Sequence, residues 1–153
     1  MFIQEMSEKE CRDALARISV GRLACARDNQ PYIVPIYFAY DGHHAYGFST
    51  AGQKVDWMRS NPLVCLEIDE WTARDRWLSV IIAGRYEELP DGPAFAAARA
   101  RAQEALQMRA MWWEYTAVPA AEWRRKSGPF TAIFYRIHID RISGHRATPR
   151  ASS

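Results

Sequence analysis

Long apolar segments are missing from this sequence. No run approaches the roughly 18 consecutive apolar residues that a membrane-spanning helix needs. The segment from Met1 to Glu10 also lacks the basic start and the apolar stretch of a signal peptide. We therefore expect a cytoplasmic protein that does not bind membranes.

Cysteine is scarce, with only Cys11, Cys25 and Cys65 present. An odd number of widely spaced cysteines supports neither a disulfide framework nor a Cys-x-x-Cys metal site. Each lies in an apolar pattern, so we expect all three to be small buried hydrophobic side chains.

The four histidines lack metal-ligand spacing, and no metal is predicted. His43 and His44 follow Asp41-Gly42 in a predicted turn and are expected to be exposed. His138 is expected at the surface of the last strand, with a role as an acid in a pocket as the alternative.

Strong charge of one sign is missing too. Lys and Arg number 20 against 18 Asp and Glu, which leaves a formal net charge of +2. Such a balance does not create the field of a sequence-independent nucleic-acid binder, so no nucleic-acid partner is expected. The short basic run at 124–126 is expected to be solvated.

Several catalytic motifs are absent as well. The chain has no Gly-x-Ser-x-Gly elbow, no Walker loop and no Gly-x-Gly-x-x-Gly turn. The motifs on which these hydrolases, NTPases and Rossmann-fold proteins depend are therefore missing, and none of these three classes is predicted.

What is present is typical of one globular domain. The chain has 153 residues, of which 48% are hydrophobic and 25% charged. We predict a single domain over residues 1–146 and a polar tail over 147–153. The six Trp and seven Tyr suit a planar ligand or a subunit interface, although ordinary core packing is the alternative.

The hydrophobic pattern predicts a mainly β fold. Ser7 and Glu10 form a capping box that begins a first helix, and further helices are predicted at 52–59 and 93–109. Six antiparallel strands are predicted at 21–26, 32–40, 45–49, 63–70, 77–88 and 130–142, the first three as a meander with a turn at Asp28 and Asn29. A small barrel with peripheral helices fits this order, because closure removes exposed edges. Pro35 lies inside the second strand and implies an edge, a bulge or a gap there.

Five segments, in order, resemble the pyridoxamine 5′-phosphate oxidase-related split-barrel flavoproteins, and most closely the branch named for nitroimidazole resistance. They are Gly21-Arg-Leu-Ala-Cys, Pro31-Tyr-Ile-Val-Pro-Ile-Tyr-Phe, Tyr46-Gly-Phe-Ser-Thr, Gly52-Gln-Lys and Asn61-Pro. The resemblance covers roughly residues 5–88. It implies a six-stranded antiparallel split β-barrel of the Greek-key type, which forms a homodimer with FMN at the subunit interface.

The resemblance also implies which residues contact the cofactor. The phosphate is expected at Ser49, Thr50, Gln53 and Lys54, where hydroxyl groups and an ammonium group meet a helix N-terminus. A solvated surface lysine is the alternative for Lys54. The flavin ring is expected against Val34, Pro35, Ile36 and Tyr37. Contacts with the ring or the ribityl chain of the flavin are also expected from the neighbouring subunit, through Trp77 and Ser79. Trp112 and Trp113 are expected either to cover the flavin or to lie at the dimer interface.

An FMN-dependent oxidoreductase that exchanges a hydride with a small-molecule substrate is the function implied, with no catalytic side chain assigned. Pyridoxamine 5′-phosphate oxidase activity itself is not implied, because relatives with that activity tend to carry basic and amide residues where this chain has Trp77 and Ser79. Two alternatives stay open. The barrel could bind haem or a deazaflavin, or it could be a flavin-binding module without turnover.

Overall fold

The computed structural model of the protein describes residues 1–108 and 132–150. These residues form β1 (Phe2–Glu5), α1 (Glu8–Arg17), β2 (Val20–Arg27), β3 (Gln30–Tyr37), β4 (Ala39–Tyr40), β5 (His44–Ser49), α2 (Gln53–Ser60), β6 (Leu63–Ala73), β7 (Arg76–Glu88), α3 (Ala96–Gln107) and β8 (Ile133–Thr148). None of the described helices is long and apolar enough to span a bilayer.

The strands form one antiparallel sheet, and a continuous segment of the chain joins its two ends. Its order is β3-β2-β6-β7-β8-β5-β4, and β1 adds to β8. The two ends of this path, β3 and β4, are separated in sequence only by Phe38, which is 1% exposed and donates its backbone N–H to Ser19 O at 3.0 Å. They are the two halves of one bent strand, so β2 pairs with the first half and β5 with the second.

The predicted mainly β, antiparallel split barrel is confirmed, as is the meander of its first three strands. The described chain has eight strands rather than six, because the predicted second strand is divided at Phe38 and β1 was not predicted. All four residues of β1 are exposed, so this strand lacks the alternation of apolar and polar residues from which a strand is predicted.

The predicted capping box and the predicted first turn are both confirmed. Ser7 Oγ accepts a hydrogen bond from Glu10 N at 3.3 Å, and Glu10 Oε2 accepts one from Ser7 N at 2.7 Å. The predicted turn between the first two strands contains Asp28 and Asn29, with φ values of 50° and 62°. Positive φ at both central positions suits the twist of a tight hairpin.

Of the three alternatives predicted for Pro35, the structure confirms the edge, because β3 is at the end of the sheet path. There is neither a bulge nor a gap, since Pro35 faces Arg22 in a ladder without a register shift.

The predicted start of the polar tail needs correction. β8 continues to Thr148, and Ala147 is 2% exposed because it pairs with both Ile3 and Trp77.

The main core fills the barrel, and a smaller cluster lies between α3 and the outer side of β4, β5 and β8. Cys11 and Cys25 are buried as predicted, but Cys65 is exposed. The alternation of β6 explains the error, since Val64 and Leu66 on either side of Cys65 point into the core.

Gly84 lies where β7 and β8 shift register, and a Cβ atom at this position would be 2.2 Å from the carbonyl oxygen of His138. Because the obstacle is backbone, we expect Gly84→Ala to lower the free energy of unfolding by about 1–3 kcal/mol. Urea denaturation measures this change. Gly52→Ala is the matched control, since a Cβ there meets nothing within 4 Å. Equal stability of the two variants would contradict the prediction.

Candidate functional site

The predicted phosphate-binding residues lie together at the junction of β5 and α2. Ser49 ends β5, and Gln53 and Lys54 begin α2. Gly52 precedes the helix without a side-chain hydrogen bond to its first turn, and the space beside its Cα is open to at least 4 Å. No side chain at Gly52 caps the first backbone N–H groups of α2, and such uncapped groups can donate hydrogen bonds to an anion.

Lys54 is half-buried and without a counter-charge. Among the described residues no carboxylate lies within 4.0 Å of its ammonium group, in contrast to Lys9, which pairs with Asp13 at 2.8 Å. Burial lowers the pKa of Lys54, while the nearby Cys25 thiol acts in the opposite direction. A partly desolvated, unpaired ammonium group gains from a bound anion. These groups fit a phosphate.

The four predicted ring contacts on β3 divide between its two faces. Val34 packs against the core and Ile36 is 7% exposed within it, so both side chains serve packing. Pro35 and Tyr37 point to the other face. No described strand pairs with the second edge of β3, so that edge can offer backbone groups to a ligand.

Trp77 and Ser79 lie on β7, three positions from β3 in the sheet. Trp77 stacks on Trp71 with ring centroids 5.3 Å apart and planes at 27°, and Ser79 Oγ donates to Glu67 Oε1 at 3.1 Å. Within the described ranges no hydrogen bond or ion pair links these two residues to Lys54. One chain therefore brings the phosphate segment next to β2 and β3 but leaves the β7 residues apart.

A broad outward-facing surface connects β3, β2, β6 and β7, and we call it the apolar outer face. Cross-strand pairing aligns a row of apolar side chains across it, namely Ile33, Ala24, Cys65 and Ala83. Four apolar side chains on this surface are exposed: Val20 by 43%, Ile33 by 60%, Leu63 by 63% and Ile81 by 47%. The Arg22–Glu67 and Arg22–Asp69 ion pairs lie on the same surface, beside these apolar side chains. Several exposed apolar side chains together with charged groups on one surface suit a protein interface.

Sequence reasoning missed a polar cluster on the opposite side of the barrel. His44 is half-buried rather than exposed, and its Nε2 lies 3.3 Å from Nδ1 of His138. His138 Nε2 is in turn 3.3 Å from Glu87 Oε1. Pairing of β5 with β8 produces this contact, which spacing along the sequence does not reveal.

The family model for pyridoxamine 5′-phosphate oxidase matches residues 7–146. The chain belongs to the pyridoxamine 5′-phosphate oxidase family. The family predicted from five short segments is thus confirmed over nearly the whole chain.

Relatives agree with this assignment. An uncharacterised protein of Rhizobium meliloti strain 1021 is 42% identical over 147 residues, which cover 96% of this chain and 97% of the relative. The crystal structure of an FAD-binding protein from Mesorhizobium loti is 38% identical, covers 97% of this chain and 99% of its own, and superposes with a TM-score of 0.76.

The nitroimidazole-resistance branch is also represented among proteins of this fold. A candidate 5-nitroimidazole antibiotic resistance protein of Bacteroides thetaiotaomicron is 15% identical, with 95% of this chain and 89% of that chain covered and a TM-score of 0.68. At that identity the likeness concerns the fold alone. Trp112 and Trp113, which were expected either to cover the flavin or to lie at the dimer interface, lie outside the described residues.

The environment of His44 makes stability depend on pH. Burial lowers the pKa of its imidazole, and electrostatic interaction with Arg136 and His138 lowers it further, while Asp41 opposes these effects. Among the described residues its Nδ1 has no hydrogen-bond partner. Below its ordinary pKa of 6.5 the unfolded chain binds a proton at His44 that the folded chain resists, so stability falls as the pH is lowered.

We therefore expect the wild-type free energy of unfolding to decrease relative to that of His44→Gln between about pH 7.5 and about pH 5.5, a window around the ordinary histidine pKa. Parallel urea titrations at several pH values measure this difference. His43→Gln is the control, because His43 is exposed. A difference that stays constant across the window would contradict the expectation.

Proposed function

We propose that this protein is a homodimeric flavoprotein that holds FMN between two copies and uses it for hydride transfer to or from a small-molecule substrate. The single observation that carries the proposal is Lys54, a half-buried ammonium group without a described carboxylate partner, at the start of α2 in a chain of this family. Similarity to an FAD-binding protein supports a flavin as the ligand. FMN and FAD share the phosphate that follows the ribityl chain, so Lys54 suits either.

The residues proposed to hold the flavin have distinct tasks. Lys54 with Ser49, Thr50 and Gln53 would bind the phosphate through charge and hydrogen bonds. The free edge of β3 over Val34, Pro35, Ile36 and Tyr37 would bind the ring through backbone groups. Bound flavin would supply the hydride chemistry, which explains why the protein needs no acid–base triad.

A second copy completes this arrangement in the proposal. Trp77 and Ser79 are three strands away from β3 in the same chain, so the proposal brings them to the flavin from the second copy. The apolar outer face includes β3 and β7 and offers a self-complementary surface for a two-fold dimer. Burial of its exposed side chains would stabilise the dimer by the hydrophobic effect.

The visible absorption spectrum of the purified protein tests the cofactor. We expect flavin bands, and chromatography of the released cofactor separates FMN from FAD. A Soret band would indicate haem instead, and a colourless protein that takes up no added flavin would refute flavin binding. If bound flavin is reduced by no donor faster than free flavin, the protein binds flavin without turnover.

Lys54→Ala should weaken flavin binding by about 1–3 kcal/mol, the range for loss of a charge-assisted hydrogen bond. Titration of apoprotein with the flavin, followed by fluorescence, measures the dissociation constant. Lys9→Ala removes the same charge from an exposed position and should leave the affinity unchanged. Equal affinities of the two variants would remove Lys54 from the site.

Ile81→Glu should convert the dimer to a monomer and reduce flavin content, because it adds charge to the apolar outer face where the wild-type side chain is 47% exposed. Light scattering at micromolar concentration measures the mass. Ala97→Glu on the exposed side of α3 is the control. A wild-type monomer that retains flavin would contradict assembly of the site between copies.

A further inference from the structure

Both predicted flavin contacts on β7 are connected to one side chain of β2, that of Arg22. In the sheet Arg22 lies opposite Pro35 on one side and opposite Glu67 on the other. Its Nη1 donates to Glu67 Oε2 at 3.2 Å and to Asp69 Oδ1 at 2.7 Å. One guanidinium group on the apolar outer face thus holds two half-buried carboxylates of β6.

Glu67 connects Arg22 to Ser79. While its Oε2 accepts the hydrogen bond from Arg22, its Oε1 accepts one from the Ser79 hydroxyl at 3.1 Å. A serine hydroxyl has a single proton, so a Ser79 that donates to Glu67 offers only its lone pairs to a ligand. Ser79 in this orientation suits a hydrogen-bond donor of the flavin, such as a ribityl hydroxyl or the N–H of the ring.

Asp69 connects Arg22 to Trp77 by way of a second tryptophan. Its Oδ2 accepts a hydrogen bond from Trp71 Nε1 at 2.8 Å, and the Trp71 ring stacks on Trp77 with centroids 5.3 Å apart. Trp71 is 62% exposed, so burial alone does not fix its ring. The hydrogen bond and the stack orient both indoles before a ligand arrives, which lowers the entropy cost of binding a ring against them.

We propose that Arg22 is a positioning residue for the flavin: through the two carboxylates it sets the hydrogen-bond direction of Ser79 and the orientation of the Trp77 ring. This inference rests on the proposed function, in which both residues face the flavin from the second copy. Exposed ion pairs contribute little to stability, so the role of Arg22 is in orientation. A second copy that covers the outer face would exclude water from the network and strengthen its hydrogen bonds.

The affinity of the apoprotein for FMN, followed by flavin fluorescence, tests this role. Arg22→Met keeps an unbranched side chain and removes the guanidinium group. We expect it to raise the dissociation constant about tenfold, the effect of one misplaced hydrogen bond. Arg85→Met is the matched control, because Arg85 is 54% exposed on the same sheet and pairs with Asp140 at 3.0 Å. It should bind FMN as the wild type does.

A background that lacks both oriented side chains separates positioning from direct contact. In a protein with Ser79→Ala and Trp77→Leu, the further change Arg22→Met should alter the dissociation constant by less than about twofold, because its effect acts through those two residues. A tenfold effect that persists in this background would mean that Arg22 acts on the flavin by another route, and it would overturn the proposal.

Circular dichroism of the protein without flavin gives a second readout. Stacked indoles produce an exciton couplet in the far ultraviolet, and the component lost in Trp71→Phe belongs to this pair. We expect that component to weaken in Arg22→Met and to persist in Arg85→Met. A component of wild-type strength in Arg22→Met would show that the stack does not depend on Arg22 and would overturn the proposal.

Failure of this proposal is distinguishable from failure of the flavin proposal. A wild-type protein that takes up no flavin would refute both. Arg22→Met that stays dimeric and binds FMN with wild-type affinity would refute the positioning role alone. A monomeric Arg22→Met, measured by light scattering, would place Arg22 in the contact between copies and would also overturn the positioning role.

Discussion

The chain encloses its core because β3 and β4 are the two halves of one bent strand. They stand at opposite ends of the sheet path, and only Phe38 separates them in sequence. A bend with a buried phenylalanine at its centre therefore closes eight strands without a ladder between the two ends. The same bend leaves β3 with one unpaired edge among the described strands. Closure of the barrel and availability of backbone groups for a ligand thus have one structural origin.

Burial of Lys54 gives the junction of β5 and α2 its chemical character. An exposed lysine is fully hydrated and gains little from an anion, whereas a half-buried lysine has lost part of its hydration. α2 packs on β2 and brings this lysine next to Cys25, a neutral thiol that supplies no counter-charge. The surrounding fold thereby turns an ordinary cation into a group suited to a phosphate.

Local signals made much of the fold predictable from sequence, and pairing between distant strands accounts for what was missed. The Ser7 capping box and the Asp28-Asn29 turn are encoded within a few residues, and the structure contains both. The environments of Cys65 and His44 depend on which side of a strand faces the core and on which strand lies opposite. A single sequence carries that information only weakly.

The candidate site was predictable to the same degree. Ser49, Thr50, Gln53 and Lys54 are contiguous or nearly so, and the structure keeps them together at one junction. Trp77 and Ser79 are far from them within one chain, and the proposal brings them to the site from a second copy, which sequence patterns cannot position.

The strand β8 adds a consequence for synthesis. Its sixteen residues pair with β1, β5 and β7, and all three precede it in the chain. During synthesis, β1, β5 and β7 therefore each have an unpaired edge until β8 leaves the ribosome. The barrel closes late, because β8 is far in sequence from β1 and β5 and bringing distant strands together costs loop-closure entropy.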